Sequence, residues 1–390
     1  MNTYARFPLT LVRGEGCRVW DDQGKAYLDC IAGIAVNTLG HAHPAMLKSL
    51  ADQAAQMLHC SNLFHIPQQQ LLADRLADLS GLEATFFCNS GAEANEAAIK
   101  LTRKYFHDQD SSKRTVISAT QSFHGRLLST LTATGQDKVK VGFDPLPTGF
   151  VHVPLNDIAA LKQAVNTQTA AILLEPLQAE GGVNIAEATY LQAVRQLCDE
   201  QGLLLILDEV QTGVGRCGSM FAFEQAGIEP DILTLAKGLG GGVPIGAMLA
   251  SASVAAAFGP GTHGSTFGGN PLSCTAALTV LHEIESGSLL ENVQQRGEQL
   301  RQGLEALAGR FPIIKQVRGQ GLLLGTELHG EAAPLVAAAR EKGLLILMAG
   351  PNVLRFLPAL NISATEIDEA LSILASVFED EKETILESSA

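Results

Sequence analysis

A chain of 390 residues, 46% of them hydrophobic and 17% charged, has the makeup of a globular protein and excludes collagen-like repeats, coiled coil and disorder. The 27 Lys and Arg against 41 Asp and Glu leave a formal charge of −14, which argues against a nucleic-acid partner, although a few arginines inside a pocket still suit small anionic substrates. Seven scattered cysteines with no CxxC spacing read as reduced, mostly buried thiols. No run approaches the roughly 20 apolar residues of a membrane span and no apolar leader follows Met1, so no membrane partner and a cytosolic (cytoplasmic) setting are expected.

From Tyr4 to about Gly40, short β-like runs around Val19-Trp20 and Tyr27-Leu28 flank the turn Asp21-Asp22-Gln23-Gly24, which predicts a hairpin-bearing arm. From His43-Pro44 onward, helical stretches (45–57, 68–79) alternate with apolar runs at 85–88, 114–117, 170–174, 203–207 and 232–235. Runs apolar on both faces suit a central, mostly parallel sheet covered by helices, an α/β fold. After about Ser286 the texture changes to a long amphipathic helix (289–307), short strands near 322–324 and 353–356 and a terminal helix (365–378), the pattern of a smaller α+β domain. The acidic end, Glu379 to Ala390, is expected to fray.

The run ending Leu207-Asp208 places a carboxylate at the carboxyl edge of the sheet, where open α/β folds bind ligands; taken alone, a turn or helix-cap aspartate is the commoner reading. A second run, Ile232 to Leu235, delivers Lys237 into the glycine-rich turn Gly238-Leu239-Gly240-Gly241-Gly242. Glycines allow close approach of a ligand, and a desolvated lysine has the lowered pKa that Schiff-base chemistry needs. Together they provide the amine and the acid that pyridoxal 5'-phosphate requires. The stretch Asn89-Ser90-Gly91-Ala92-Glu93-Ala94 follows a strand and opens a helix, offering free N–H groups to a phosphate; by itself it reads equally as an ordinary capped helix.

With these residues in view, Asp208-Glu209-Val210-Gln211-Thr212-Gly213, its spacing to Lys237-Gly238, and Ser90-Gly91-Ala92-Glu93-Ala94 resemble the class III pyridoxal-phosphate aminotransferases. The resemblance runs nearly end to end and is greatest to the acetylornithine aminotransferases. It implies a fold-type I architecture: an arm (1–44) joining the small domain, a large cofactor-binding domain (45–285) and a C-terminal small domain (286–390). It implies a covalent internal aldimine on Lys237, which then acts as general acid/base, with Asp208 as the partner of the ring nitrogen. Val210 and Phe123 would cover the two ring faces and Gln211 would bind near the ring hydroxyl. Ser90, Gly91 and Ala92 would hold the phosphate, Ala92 standing where related enzymes often have threonine. The loop His263 to Pro271 would cross to a second subunit, with Thr266 at the phosphate and Ser265 near substrate, so a homodimer is expected.

The same resemblance assigns substrate carboxylates to Arg126 and Arg355. Arg355 is conspicuous unaided, a charge inside the apolar run Val353-Leu354-Arg355-Phe356-Leu357. Glu180 would pair with Arg355 while the amino donor is bound and release it for 2-oxoglutarate. Gly33 stands where ornithine aminotransferases carry a tyrosine, which fits an acylated α-nitrogen. The expected reaction is therefore N-acetylornithine plus 2-oxoglutarate giving N-acetylglutamate 5-semialdehyde and glutamate, within arginine biosynthesis. Succinylornithine, succinyl-diaminopimelate, ornithine or 4-aminobutyrate as donors, or a class III aminomutase, are the alternatives. Gly319-Gln320-Gly321 reads as a tight turn into a strand, and His41 and His43 as structural histidines with no metal expected.

Overall fold

The computed structural model describes residues 1–380. The five apolar runs, joined by two strands the sequence reading did not name, Phe150–Val153 and Gly246–Ala250, form a seven-stranded sheet in the order Ala84–Cys88, Gly246–Ala250, Ile232–Leu235, Leu204–Asp208, Thr169–Leu174, Thr115–Ala119, Phe150–Val153. The last five are mutually parallel. Parallel strands need helical crossovers and cover on both faces, and the three central ones are accordingly buried at every position. The strand Gly246–Ala250 runs antiparallel to both neighbours. Its sequence, Gly-Ala-Met-Leu-Ala, is poor in β-branched residues and has no strong strand signal; the two flanking strands impose the conformation.

Downstream, Ile314–Gln320, Leu323–Leu328, Val353–Phe356 and Leu347–Met348 form an antiparallel sheet, packed by the helix Leu289–Arg310, against which the helix Ala364–Asp380 lies in turn. Gly321, at φ +54°, makes the tight turn between its first two strands. The expected fraying end begins inside the last helix at Glu379 and Asp380; the rest of it lies outside the described residues. At the other end of the chain, Leu11–Glu15, Arg18–Asp21 and Ala26–Asp29 form a sheet completed by Leu344–Leu345, so both ends of the chain share one sheet. His41 serves this arm, its Nε2 lying 2.8 Å from Asp29 Oδ2. No helix among the described residues is long and apolar enough to cross a membrane.

Candidate active site

Strand register assembles the site. Leu207 lies opposite Leu174 and Asp208 opposite Thr234, so Glu175, Asp208 and Lys237, each at or just beyond a strand end, meet at one sheet edge. Asp208 is buried, and a buried carboxylate must have its lone pairs met. Its Oδ2 accepts from Asn95 Nδ2 (2.7 Å) and lies 2.8 Å from His124 Nδ1, while Oδ1 accepts from the Val210 N–H at 3.1 Å. Asn95 is itself fixed, accepting from Thr234 Oγ1 (2.7 Å) and donating to the His124 carbonyl at 2.9 Å. The acid is therefore held in one orientation by groups from three separate elements.

Lys237 opens the turn Lys237–Gly240 at φ +40°, a left-handed conformation that costs a non-glycine residue roughly 1–2 kcal/mol. Burial lowers the pKa of its amine, the chief effect among those of Glu180, Arg355, Asp208 and Glu175. The arm braces this turn: Thr38 Oγ1 donates to the Gly238 carbonyl at 2.8 Å. Thr38 is delivered by a left-handed run, Ala32, Gly33, Ile34 and Ala35 at φ +47°, +66°, +66° and +60°. Asp29 Oδ1 pins the start of that run by accepting from the N–H groups of Ile31 and Ala32, both at 2.9 Å. Gly33 thus sits three residues before Val36, which lines the same cavity as Lys237.

Glu175 continues the strand Thr169–Leu174 as Asp208 ends its own. Its Oε2 accepts from the Phe123 N–H at 3.0 Å, and burial together with the charge of Asp208 pushes its carboxyl well above the usual range. Nearby, Arg355 Nη1 donates to Glu180 Oε1 (2.6 Å), the Ala179 carbonyl (3.0 Å) and Gln211 Oε1 (3.3 Å), and Gln211 Nε2 reaches Glu180 Oε1 at 3.2 Å. Burial acts to raise the Glu180 pKa, but the charge and hydrogen bonds of Arg355 prevail and hold it below the usual carboxylate value.

Ser90 caps the helix Gly91–His107, its Oγ accepting from the Glu93 N–H at 3.2 Å. The first-turn N–H groups of Gly91 and Ala92 have no intrahelical partner and stand at the cavity wall. Gly91 is required here, because a Cβ on it would stand 2.7 Å from Val210 Cγ1. Ser90, Gly91, Ala92, Phe123 and Arg126 line one cavity of about 430 Å³ together with Asp208, Val210, Gln211 and Lys237. Glu180 and Arg355 join it through Gln211. Arg126 is exposed, its guanidinium 5.6 Å from the centre of the Phe123 ring, and among the described residues it has no carboxylate partner.

The donor set fits pyridoxal phosphate: an amine with a lowered pKa, an oriented carboxylate, free N–H groups at a helix start, and apolar walls from Val210 and Phe123. The imidazole adds a further sign of a polar occupant, since His124 Nε2 is buried without a partner at this wall.

Ser265 and Thr266 lie elsewhere. Within the chain they line an adjoining cleft with Glu93 and Phe267, and Ser265 Oγ accepts from Asn89 Nδ2 (3.2 Å) and from the Gly268 N–H (2.9 Å). Sequence reasoning missed His124, Asn95 and Glu175. For Glu175 a signal existed, Leu173-Leu174-Glu175 repeating the pattern of Ile206-Leu207-Asp208. For Asn95 it was a polar residue inside the small apolar face Ala94, Ala97, Ala98.

This fold and donor set define a pyridoxal-phosphate-dependent transferase of the fold-type I α/β architecture. The profile described as Aminotransferase class-III matches residues 1–378. Among curated proteins, the acetylornithine aminotransferase of Thermosynechococcus vestitus is 56% identical over 387 residues, spanning 96% of this chain and 94% of the relative. That of Caldanaerobacter subterraneus subsp. tengcongensis is 52% identical, spanning 97% of each. Among solved structures, the N-acetylornithine aminotransferase of Stenotrophomonas maltophilia superposes with a TM-score of 0.87 at 40% identity over 98% of this chain and 99% of that one. The ornithine aminotransferase of Toxoplasma gondii superposes with a TM-score of 0.95 at 34% identity, over 98% and 93%. The chain belongs to the class III aminotransferases, enzymes that work with pyridoxal phosphate.

Proposed function

We propose that this enzyme transfers the δ-amino group of N-acetylornithine to 2-oxoglutarate in two ping-pong halves, giving N-acetylglutamate 5-semialdehyde and glutamate, a reaction of arginine biosynthesis. The observation that carries the reading is the pairing of a masked arginine with an open one: Glu180 covers Arg355 while Arg126 has no carboxylate partner among the described residues. One pocket can then take a donor with a single carboxylate and afterwards an acceptor with two. The relatives named acetylornithine aminotransferase and the absence of a side chain at Gly33 support an acylated donor.

Bound pyridoxal phosphate supplies the carbonyl that takes the amino group and a ring that draws off electrons as the substrate loses a proton. In this proposal Lys237 holds it covalently, and its Nζ, once free, moves that proton between two positions. Asp208, oriented by His124 and Asn95, would be the partner of the ring nitrogen. Ser90, Gly91 and Ala92 bind the phosphate, Val210 and Phe123 exclude water from the ring faces, and Gln211 binds near the ring hydroxyl. Arg126 grips the donor carboxylate and later the distal carboxylate of 2-oxoglutarate, whose α-carboxylate goes to Arg355 once Glu180 has swung away.

A homodimer belongs to the same proposal. Ser265 and Thr266 do not line their own chain's cavity but an adjoining cleft, and the exposed Phe267, Leu63 and Phe64 add apolar surface near their loop, which suits delivery of Thr266 to a second subunit's phosphate and of Ser265 to its substrate. The division into an arm (1–44), a large domain (45–285) and a small domain (286–390) is proposed with it, supported by the separate sheets. So is a cytoplasmic setting, supported by seven unpaired cysteines, six of them buried.

The test is single-turnover conversion of the cofactor with N-acetylornithine, succinylornithine, ornithine and 4-aminobutyrate, plus peptide mapping of the borohydride-trapped adduct. N-acetylornithine is expected to react fastest and the adduct to map to Lys237. Faster turnover of ornithine or 4-aminobutyrate, or an adduct on another lysine, refutes the assignment; return of the amino group to its own donor without glutamate release indicates an aminomutase.

A further inference from the structure

Arg216 lies eight positions after Asp208 on the loop that also carries Val210 and Gln211, and it is buried. Its Nη1 donates to the Leu322 carbonyl at 3.0 Å and to the Pro358 carbonyl. The Arg216 carbonyl in turn accepts from the Leu322 N–H at 3.0 Å. Among the described residues no carboxylate pairs with it. Leu322 immediately precedes the strand Leu323–Leu328 and Pro358 follows the strand Val353–Phe356 by two residues. These two strands pair antiparallel with Gly325 opposite Arg355. One guanidinium therefore clasps both strands at the same end and fastens them to the loop that leads from the cofactor acid.

The backbones meet at this clasp. A Cβ on Gly321 would stand 2.6 Å from the Arg216 carbonyl oxygen and equally close to Cys217. A buried guanidinium served only by carbonyls is a poor choice for stability alone, because an apolar side chain of similar volume avoids the desolvation penalty. Burial accordingly lowers its pKa to about 10. What the guanidinium provides that an apolar side chain lacks is direction: two acceptors on different strands held by one planar group.

We infer that Arg216 is a positioning residue for Arg355, holding the strand pair against the cofactor loop so that the Arg355 guanidinium stands where the acceptor's α-carboxylate arrives. The inference rests on the proposed role of Arg355. It predicts an asymmetry between the two half-reactions. The donor half keeps Arg355 paired with Glu180 and tolerates a displaced strand. The acceptor half needs Arg355 to meet a carboxylate unaided, where a misplacement near 1 Å is worth roughly a hundredfold.

The experiment takes R216K, R216Q, R216M and R355M holoenzymes and follows each half-reaction by cofactor absorbance in single turnover. In the Arg216 variants the 2-oxoglutarate concentration for half-maximal rate is expected to rise roughly tenfold or more, least in R216K. The saturating rate and the N-acetylornithine half are expected to change less than about threefold. Equal slowing of both halves, unchanged acceptor affinity, or variants that accumulate only as cofactor-free or insoluble chains show a merely structural role and overturn the inference. The R355M arm separates the two readings: if it leaves acceptor affinity intact, the role of Arg355 itself fails, whereas a weakened R355M beside unaffected Arg216 variants removes only the positioning role.

Discussion

Replacing Gly91 by alanine tests the cofactor floor with a single methyl group. The added carbon would stand 2.7 and 2.8 Å from Cγ1 and Cγ2 of Val210, where carbon atoms come to rest at about 3.5–4.0 Å. Neither side yields freely. The helix start is held by the Ser90 cap, and the next residue, Ala92, is packed so closely against Gly125 that a Cβ there would lie 2.7 Å from its own. Val210 is anchored by its N–H to Asp208 Oδ1. The overlap of roughly 1 Å therefore drives the valine toward the ring position or spreads the phosphate-binding turn. Overpacking of this kind costs about 1–3 kcal/mol. If the strain falls on the cofactor-bound state, affinity for pyridoxal phosphate drops roughly 5- to 150-fold. Absorbance titration of apo-protein reads this directly, with V210A and the double variant G91A/V210A completing a cycle. Because the two closest contacts of the methyl are the γ-carbons of Val210, and the Val210 Cβ that remains lies farther off at 3.3 Å, the double variant is expected to recover most of what G91A loses. Wild-type affinity in G91A, or losses that simply add in the double variant, would refute the reasoning.

Three further outcomes are expected. Removing the imidazole in H124L leaves Asp208 Oδ2 with Asn95 as its remaining partner, which lowers the rate and cofactor affinity about tenfold; H124N, which restores a donor, recovers part of the loss, and unchanged kinetics in H124L dismiss the supporting role. Burial and the charge of Asp208 push the Glu175 carboxyl well up, which favours its protonated form relative to a solvated carboxylate. E175Q is then expected to stay within about threefold of wild type while E175L, which strands the Phe123 N–H, loses more; a tenfold loss in E175Q shows that the charged form is needed. Burial also pushes the Glu209 carboxyl from 4.5 up to about 7 although it accepts from the N–H groups of Ala222 (2.7 Å) and Phe223 (2.8 Å). Between those pH values the folded chain keeps a proton that the unfolded chain has released. The stabilisation from this group is complete below pH 4.5 and is lost as pH rises through about 7, a change on the order of 3 kcal/mol. Urea unfolding of apo-protein from pH 4 to pH 8 is expected to show E209Q gaining on wild type as pH rises, and parallel curves would contradict the shift.

Much of the sheet and the chemistry at its edge was legible in the chain. Runs such as Ile232 to Leu235 are apolar on both faces, and that pattern is a local consequence of burial between two helical layers. The same locality made Asp208 and Lys237 visible, each sitting just beyond such a run, and Arg355 conspicuous as a charge among hydrophobes. The helix start at Ser90 could be read because capping chemistry involves neighbours only.

What escaped was whatever depends on residues far apart in sequence. Gly246–Ala250 is a strand because two others flank it, and no alternation or β-branched residue in Gly-Ala-Met-Leu-Ala announces that. Asn95 and His124 hold Asp208 from a helix and a loop more than eighty positions away, and no local pattern announces that Arg355 meets Glu180, a pairing that only the family resemblance implied, or that Gln211 joins them. The place of Ser265 and Thr266 outside their own chain's cavity was likewise implied by the family resemblance and by nothing in the local pattern of their loop. Composition and local pattern, acting through burial and backbone preference, determined which segments are strands and which charged residues stand at their ends. The partners of those residues were decided only by strand order and packing, because side-chain convergence is a property of the closed chain and has no counterpart in any short stretch of it.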